Sequence, residues 1–419
     1  MKDHRLERRA RAHLEQLCAE IPGRATGSEG NHQATDYVAG VLSGAGFDVT
    51  RRRFAAMHWT SDGVRVEAED EAGGEAFAAY AGPYAPGCRV SAPLVVASTV
   101  EELERCDAAG RVLLLRGDVA REQLTPKRFP YYELQRHQRI VQALEASRPA
   151  VIVAATRQDV ATAGALDPFP LVEDGDVDIP SVYMTEAEGA RLARFVGRPV
   201  EVESRATRIP SWGSNVVATR GPNDAHRIVA CAHVDAKIGT PGALDNAAGV
   251  TTLLLLAELS TDHDGPLRVE LVALDGEDHY ANPGEQAYFR ENEGRLADVV
   301  LAINVDAVGY REGGDAYSTY GCEDALRSTI ASTLDAEDGL APGPDWFQGD
   351  HAVFVMNGVP ALAVTSDRVE ELVSTVVHTP RDTPELVDPS KLVRLARALR
   401  RLVASLAPRA QAPRAAPPS

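Results

Sequence analysis

Four short apolar runs in the second half of the chain constrain its fold most strongly. They occupy residues 227–232, 267–273, 299–305 and 360–364. Continuous apolar runs of this length are typical of strands that helices cover on both faces. Between the first two runs, residues 249–259 are rich in Leu and Ala and predict a core helix. The pattern therefore predicts an α/β fold with a mixed, mostly parallel central sheet flanked by helices.

A different pattern, made of short β-rich pieces, occupies residues 60–209. The pieces lie at 93–98, 111–116, 150–155, 179–184 and 199–204, with a polar helix predicted at 131–146. Before this region, residues 29–45 carry apolar side chains at helical spacing, and residues 47–54 predict a strand. We expect residues 1–59 and 210–406 to form one discontinuous domain, with residues 60–209 as an inserted β-rich domain. Two or three domains are normal for a chain of 419 residues.

The two ends of the chain differ in character. The first residues are charged and run into a helix-like pattern, without the apolar core of a secretory signal. Residues 389–406 predict a final helix. Residues 407–419 lack apolar bulk, and we expect this tail to be disordered.

The charge balance and the cysteine pattern restrict the classes of binding partner and the cellular compartment that we expect for the protein. The chain has 43 Lys and Arg against 61 Asp and Glu, a formal net charge of −18. This balance argues against nucleic-acid binding, which needs a basic surface to neutralise phosphates. The sequence has no apolar stretch of about 18 residues, so we expect no membrane span. The five cysteines include no C-x-x-C pair and are expected to be free thiols, which favours a cytoplasmic protein.

Acidic and histidine side chains follow the predicted strands at the point where each strand ends. They are His233 and Asp235 after the first strand, Glu277 and Asp278 after the second, Asp306 after the third, and His378 and Asp382 after the fourth, while Asp245 lies in a glycine-rich turn. Ligand sites in open α/β sheets collect at these strand ends. A single residue of this kind is more often structural, but several on successive strands indicate a shared site. Two imidazoles and three carboxylates suit a pair of divalent cations that share one carboxylate.

Other roles follow from spacing. Asp235, two residues after His233, is placed to orient that imidazole, and the alternative is a solvated turn residue. Asp382 is placed to do the same for the second histidine. Glu277 stands next to Asp278, so one carboxylate can bind metal while the other takes a proton from the attacking water.

Taken together, these motifs resemble those of the di-zinc aminopeptidase family, whose relatives include glutamate carboxypeptidase II, the transferrin receptor and glutaminyl cyclase. The motifs are His-x-Asp at 233–235, Pro-Gly-Ala-x-Asp-Asn-x-x-Gly at 241–249, Gly-Glu-Asp at 276–278, Asp-x-x-Gly at 306–309 and His-Thr-x-x-Asp-Thr at 378–383. Residues 23–31 and 349–351 resemble further signatures of the family. The region 60–209 resembles a protease-associated domain.

The resemblance implies a role for each residue. It makes Asp245 the ligand shared by two metals and assigns the other ligands in two pairs, His233 with Asp306 and Asp278 with His378. It makes Glu277 the general base. His351 lies beside the motifs, and we expect it to be a supporting residue next to the site. The family often has a cis peptide bond after the shared aspartate, here between Asp245 and Asn246. The implied cofactors are two divalent metal ions per chain, zinc first, although cobalt and manganese tolerate the same ligands.

The resemblance also implies a metallopeptidase that releases N-terminal residues from a peptide substrate. The alternatives are a carboxypeptidase, a cyclase or another amide hydrolase on the same scaffold, and a non-catalytic binding protein as in the transferrin receptor branch. The complete set of ligand-type residues argues against a binding protein. Most relatives have Glu-Glu where this chain has Glu277 and Asp278, so the second metal either lies closer to the backbone or is bound more weakly.

The inserted region has two open roles. It acts as a lid or partner surface, or it only packs against the cleft and shapes it. Tyr131 and Tyr132 are close enough in sequence to Phe129 and Pro130 to form one aromatic group. We favour a local hydrophobic anchor for these tyrosines over a contact with the cleft. The sequence leaves open whether the chain forms a homo-oligomer.

Overall fold

The computed structural model describes residues 2–21, 23–70, 73–223, 226–346 and 349–406, so the tail predicted at 407–419 lies outside the described residues. The strands are β1 (Asp48–Asp70), β2 (Gly73–Phe77), β3 (Tyr80–Ala81), β4 (Cys88–Ala97), β5 (Val112–Leu115), β6 (Val151–Thr156), β7 (Ser181–Thr185), β8 (Pro199–Arg220), β9 (Arg227–His233), β10 (Arg268–Leu274), β11 (Val299–Val305), β12 (Asp315–Tyr320), β13 (Leu340–Pro342) and β14 (Ala361–Ser366). The helices are α1 (Lys2–Glu15), α2 (Glu29–Gly44), α3 (Val100–Arg105), α4 (Gln135–Ser147), α5 (Glu186–Leu192), α6 (Ala248–Leu259), α7 (Pro283–Glu291), α8 (Asp324–Leu334), α9 (His351–Met356), α10 (Val369–Thr375) and α11 (Pro389–Leu406). Short helical turns lie at Gln16–Glu20, Gly117–Ala120, Ala193–Phe195, Ala243–Ala247, Leu296–Asp298 and Pro384–Leu386.

The central sheet has the strand order β13-β12-β14-β11-β9-β10-β8, with β1 paired to β8. Strands β9, β10, β11 and β14 run parallel, and they are the four apolar runs that the sequence predicts as buried strands. Every residue of β9 and of β14 is buried. Strands β8 and β12 run antiparallel to their neighbours β10 and β14. The prediction of a mixed, mostly parallel sheet flanked by helices is confirmed.

Helices cover both faces of this sheet. In β9, alternate side chains pack against the helices on the two faces. Ile228 and Ala230 pack with α1, α2, α6 and α11 in one large apolar cluster. Val229 and Cys231, which alternate with them, pack against α7 and α9 on the other face. Alternation of this kind is what the pleat of a strand produces. None of the described helices is long and apolar enough to cross a membrane.

Strands β1 and β8 form a long two-stranded ribbon that links the central sheet to the inserted region. They pair antiparallel from Asp48 opposite Thr219 to Ala68 opposite Val200. The sequence predicts much shorter strands in both places, and those lengths are wrong. Where the ribbon extends past the central sheet, one of its faces is exposed and polar. The apolar pattern in the sequence therefore ends before the two strands end. Because both strands run through the expected boundaries near residues 59 and 209, the domain division stays a prediction.

The inserted region has apolar packing of its own. Strands β4 to β7 lie at four of the predicted positions and run parallel, and β3 pairs antiparallel with β7 at the edge. Leu113 and Leu115 of β5 pack with α3 and α4 on one face. Val112 and Leu114 pack on the opposite face against residues of β8. The region therefore contains a helix-covered sheet, and its identity as a protease-associated domain stays a prediction.

Candidate metal centre

The carboxyl ends of the parallel strands meet at one edge of the central sheet and bring the predicted side chains together. His233 is the last residue of β9, Asp306 follows β11 directly, and Asp278 lies in the turn after β10. His378 follows α10, and Asp245 lies in the helical turn Ala243–Ala247. The five residues that the sequence predicts as ligands are thus neighbours in space.

These five side chains form two clusters that share Asp245. In the first, Nε2 of His233 lies 3.0 Å from Oδ1 of Asp245 and 3.7 Å from Oδ1 of Asp306. In the second, Nε2 of His378 lies 3.3 Å from Oδ2 of Asp245 and 3.2 Å from Oδ1 of Asp278. Ligand atoms about 2.0–2.2 Å from a tetrahedral zinc ion are about 3.3 Å apart. The spacing of both clusters therefore fits a divalent cation.

Unpaired polar atoms support this fit. Both ring nitrogens of His233, Nδ1 of His378 and Oδ2 of Asp278 are buried and have no partner in hydrogen-bond geometry among the described residues, although carboxylate oxygens lie near the histidines. Buried polar groups are normally paired. In His378, burial lowers the pKa, but the carboxylates of Asp278 and Asp245 outweigh burial and raise the pKa to about 10. The clusters concentrate negative charge that divalent cations would neutralise.

The turn that carries Asp245 is fixed to the neighbouring strand. The peptide bond between Asp245 and Asn246 is cis, as the family resemblance implies. The side chain of Asn246 donates to the carbonyl oxygen of Val305 at 2.9 Å and accepts from the backbone N–H of Gly249 at 3.0 Å. The shared aspartate is therefore held against the end of β11, where Asp306 follows.

Arg24 is a supporting residue whose role the sequence did not reveal. Its side chain is only 2% exposed. The guanidinium donates to the carbonyl oxygens of Leu17, Pro241 and Gly242 at 2.7 Å each and of Val234 at 2.9 Å. These bonds tie the residue after His233 to the turn before Asp245. The only signal was the Gly-Arg pair at 23–24, which the family resemblance includes.

Asp235 acts mainly on the turn after β10. Its carboxylate accepts hydrogen bonds from the backbone N–H groups of Glu277 at 3.2 Å and Asp278 at 3.0 Å, and from the hydroxyl of Thr26 at 3.1 Å. Its Oδ1 lies 3.6 Å from Nδ1 of His233, which is longer than a hydrogen bond. Asp235 therefore contacts His233 as predicted, but its hydrogen bonds position Glu277 and Asp278.

The expected contact between Asp382 and His378 is wrong. Asp382 accepts from the backbone N–H of Leu244 at 2.7 Å and of Asp245 at 3.0 Å. A carboxylate accepts strong hydrogen bonds from backbone N–H groups, and these two lie closer to Asp382 than the imidazole does. Asp382 is thus a supporting residue for the shared aspartate.

His351 is buried beside the site but contacts none of the five predicted ligands. Its Nε2 lies 2.8 Å from the carbonyl oxygen of Trp346, and its Nδ1 lies 3.4 Å from the side-chain nitrogen of Asn304. Its ring packs 4.8 Å from the ring of Trp346. His351 therefore packs against Trp346 and Asn304, and Asn304 lies two residues before the predicted ligand Asp306. Its effect on the ligands is indirect.

A cavity of about 440 Å³ opens over the two clusters. Glu277 is half-buried and lines it, together with Asp245, Asp278, Asp306 and His378. Helices α9 and α10 contribute an apolar side, with Val355 and Val373 among its residues. The inserted region contributes another part of the lining, which includes Tyr131 and Tyr132. The two tyrosines therefore reach the cleft, and the interpretation as a purely local anchor is wrong.

An ion pair connects the inserted region to the turn that carries Asp278. Nζ of Lys237 lies 2.9 Å from Oε1 of Glu173 and donates to the carbonyl oxygen of Asp278 at 3.0 Å. The side chain of Gln123 donates to the other oxygen of Glu173 at 2.9 Å. Burial raises the pKa of Glu173, but Lys237, His378 and Gln123 together outweigh burial and hold the pKa below its ordinary value. The sequence carried no signal for this pair.

Comparisons with known proteins agree with this geometry. Residues 215–403, which contain all five residues of the two clusters, match the model of peptidase family M28. The chain is 26% identical over 315 residues to the "Probable lipoprotein aminopeptidase LpqL" of Mycobacterium tuberculosis. That alignment covers 72% of this chain and 58% of the relative, so the chain spans less than two thirds of that protein.

Two solved structures share the fold. An aminopeptidase from Aneurinibacillus sp. strain AM-1 is 21% identical, with a TM-score of 0.74, over 97% of this chain and 96% of that one. BSAP, a zinc aminopeptidase from Bacillus subtilis, is 18% identical, with a TM-score of 0.72 and the same coverage of 97% and 96%. Because both likenesses cover nearly the whole chain, the inserted region belongs to the shared architecture.

Proposed function

We propose that this chain, whose residues 215–403 match the model of peptidase family M28, is a two-zinc aminopeptidase that releases the N-terminal residue of a peptide. One observation carries the proposal: two clusters of histidine and carboxylate side chains share Asp245, and Glu277 lies beside them in the same cavity. The names of the sequence relative and of the two structural neighbours support an aminopeptidase over other amide hydrolases.

The donor set indicates which residues would hold the metals. His233 and Asp306 would hold one ion, Asp278 and His378 the other, and Asp245 both. Bound divalent cations supply Lewis acidity that polarises a carbonyl group and lowers the pKa of water. Imidazole and carboxylate ligands suit zinc, and the supporting contacts from Asp235 and Asp382 resemble the outer contacts that orient zinc ligands.

Glu277 would act as the general base and then as the general acid. Its backbone N–H is held by Asp235, and its carbonyl oxygen accepts from the side chain of Asn282 at 2.9 Å. The backbone is therefore fixed on both sides, and Glu277 lines the cavity. A carboxylate in this position can take a proton from water and return it to the leaving amine.

The test is Glu277→Gln with leucine p-nitroanilide as the substrate. We expect kcat to fall by about 10²–10⁴-fold, because the variant cannot take the proton. Elemental analysis should still find two metal ions per chain, since Glu277 is not a ligand. Glu291→Gln, an exposed glutamate at the end of α7, is the matched control and should keep full activity. A Glu277→Gln variant with most of its activity and both metals would overturn the proposal.

The alternative amide chemistries differ in what they require of the substrate. An aminopeptidase needs a free α-amine, whereas a carboxypeptidase needs a free α-carboxylate. Acetylating the amine of a tripeptide should abolish its hydrolysis, and amidating its carboxylate should not. The opposite pattern would indicate a carboxypeptidase. Closure of an N-terminal glutamine to a lactam, with release of ammonia and without hydrolysis of a peptide bond, would indicate a cyclase.

The location in the cytoplasm is a further proposal. Its support is that the five cysteines, two of them buried and three half-buried, are all free thiols. Free thiols are typical of a reducing compartment. Immunoblots of fractionated cells should find the protein in the cytosol, and a signal confined to the membrane or the medium would contradict the proposal.

A further inference from the structure

A loop of the inserted region lies against α10 and the residues that follow it. This loop, residues 157–166, comes directly after β6, and we call it the 157–166 loop. The backbone N–H of Ala165 donates to the carbonyl oxygen of Val377 at 3.1 Å. The side chain of Gln158 donates to the carbonyl oxygen of Ser374 at 2.8 Å. The inserted region is therefore bonded to the chain just before a predicted metal ligand.

The 157–166 loop is also held by the inserted region itself. Oδ2 of Asp159 accepts from the backbone N–H of Gln123 at 2.8 Å and from the hydroxyl of Thr162. Ala163 is 1% exposed and packs in the apolar cluster that includes α3 and α4. The loop is therefore attached to both regions of the protein.

Gly164, in this loop, lies next to the imidazole of His378. A Cβ atom at this position would lie 3.1 Å from Nδ1 of His378, 3.4 Å from its Cγ and 3.0 Å from the carbonyl oxygen of Val377. The optimal separation of non-bonded carbon atoms is about 3.5–4.0 Å. Gly164 also has a φ of +62°, which residues with a side chain rarely adopt. The loop therefore approaches the imidazole so closely that a residue with a Cβ atom does not fit without a shift.

This approach is on the side of the imidazole that faces away from the second cluster. Nε2 of His378 lies 3.3 Å from Asp245 and 3.2 Å from Asp278. Nδ1 is buried and has no partner in hydrogen-bond geometry among the described residues. A metal-binding histidine usually donates its other N–H to a carboxylate or a carbonyl group, which fixes the direction of the ring. In place of such a partner, the backbone of Gly164 lies beside Nδ1.

We propose that Gly164 is a positioning residue for the metal ion of the second cluster, because the close approach of its backbone holds the imidazole of His378 in the direction of that ion. The proposal rests on the metal pair of the proposed function. It gives the inserted region a part in the metal centre itself, beyond shaping the cleft.

Gly164→Ala tests the contact, and Gly110→Ala is its matched control. Gly110 belongs to the same region and has a φ of +68°, so that alanine causes a similar backbone strain, but nothing lies within 4 Å of its Cβ position. In Gly164→Ala the added carbon should displace the imidazole, since the carbonyl oxygen of Val377 is held by its hydrogen bond to Ala165. Only Gly164→Ala should therefore disturb a metal ligand.

Variants with a single metal site show which ion responds. Asp306→Ala is expected to keep the ion of the second cluster, and Asp278→Ala that of the first. Competition with a chromophoric chelator measures the zinc affinity of each. We expect Gly164→Ala to weaken zinc binding about 10-fold to 100-fold in Asp306→Ala and by no more than about twofold in Asp278→Ala. Gly110→Ala should leave both affinities unchanged.

Two results would overturn the proposal. One is an unchanged zinc affinity when Gly164→Ala is added to Asp306→Ala. The other is an equal loss of affinity in both single-site variants, which would indicate a general defect of the structure. Circular dichroism checks that each variant is folded.

Gln158→Ala decides the matter if Gly164→Ala does not fold. Gln158 is exposed, so its substitution leaves the core intact, but it removes the hydrogen bond that ties the 157–166 loop to Ser374. We expect zinc binding in Asp306→Ala to weaken about threefold, because the loss of one neutral hydrogen bond loosens the loop beside His378. An unchanged affinity in this variant would then overturn the proposal.

Failure of the proposed function gives a different result. A protein that binds two zinc ions, and binds the second more weakly in Gly164→Ala, but cleaves no tripeptide would overturn the aminopeptidase and leave the role of Gly164 in place. An active enzyme with two zinc ions, in which Gly164→Ala binds both normally, would overturn the role of Gly164 alone.

Discussion

The ammonium group of Lys237 lies 2.9 Å from the carboxylate of Glu173 and also donates to the carbonyl oxygen of Asp278. One cation thereby joins the inserted region to the turn that carries a predicted metal ligand. The side chains of Lys237 and Glu173 are 19% and 9% exposed, so solvent screens their attraction weakly.

We expect Glu173→Gln to lower the free energy of unfolding by about 3 kcal/mol, because it leaves the ammonium of Lys237 buried without its partner. Urea unfolding measures the change. The double variant Glu173→Gln/Lys237→Met should recover part of the loss. Glu186→Gln, which breaks more exposed pairs with Arg116 and Arg157, should cost less than about 1 kcal/mol. If both glutamine variants lowered the free energy of unfolding by the same amount, the buried ion pair would contribute no more to stability than the exposed pairs.

Arg24→Met should weaken zinc binding about 10-fold to 100-fold, because Arg24 holds the backbone next to His233 and Asp245 in place. Competition with a chromophoric chelator measures the affinity. Arg191→Met, at an arginine whose ion pairs lie on the surface, should leave the affinity unchanged. The prediction fails if a folded Arg24→Met protein binds zinc as tightly as wild type.

The two clusters predict which substitution removes which metal. Asp278→Ala and Asp306→Ala should each reduce the metal content from two ions per chain to one, because each aspartate belongs to one cluster only. Asp245→Ala should lose both ions, since both clusters include it. Elemental analysis of the purified variants gives the counts, and circular dichroism checks that each variant is folded. Two ions in Asp278→Ala would contradict the second cluster.

Removal of the metals with a chelator should lower Tm by at least about 5 °C, because ions that bind only the folded protein stabilise it by mass action. The carboxylates of Asp245, Asp278 and Asp306 also lose the counter-charge of the two cations. Differential scanning calorimetry measures the shift, and added zinc should reverse it. The Asp245→Ala variant is the control, and its Tm should not respond to the chelator.

The sequence predicted the two clusters because each ligand stands at a recognisable place. His233 and Asp306 come at the ends of apolar strands, and parallel strands bring their carboxyl ends to one edge. Arg24 was missed because it binds only backbone carbonyl groups, which every residue has, and Val234 is 210 residues later in the chain. Asp382 was assigned to the imidazole four residues before it, because spacing cannot show that the N–H groups of a distant turn lie closer.

The pattern of apolar residues could not predict the lengths of β1 and β8. Their outer parts have one solvent-facing side, and antiparallel pairing rather than burial continues the strands there. The pair of Lys237 and Glu173 was equally hidden, because 64 residues and several strands separate the two. Contacts between regions depend on how the regions pack, which local spacing does not encode.

The ribbon of β1 and β8 also has an evolutionary consequence. The chain enters and leaves the inserted region at neighbouring points, since Thr60 lies opposite Thr207 and adjacent strands are about 4.8 Å apart. The segment between these two residues can therefore be replaced by another during evolution without a change in the strand pairing of the central sheet. The five residues of the two clusters lie outside the segment between Thr60 and Thr207, whereas Tyr131 and Glu173 lie inside it. One metal centre can in this way acquire different substrate walls.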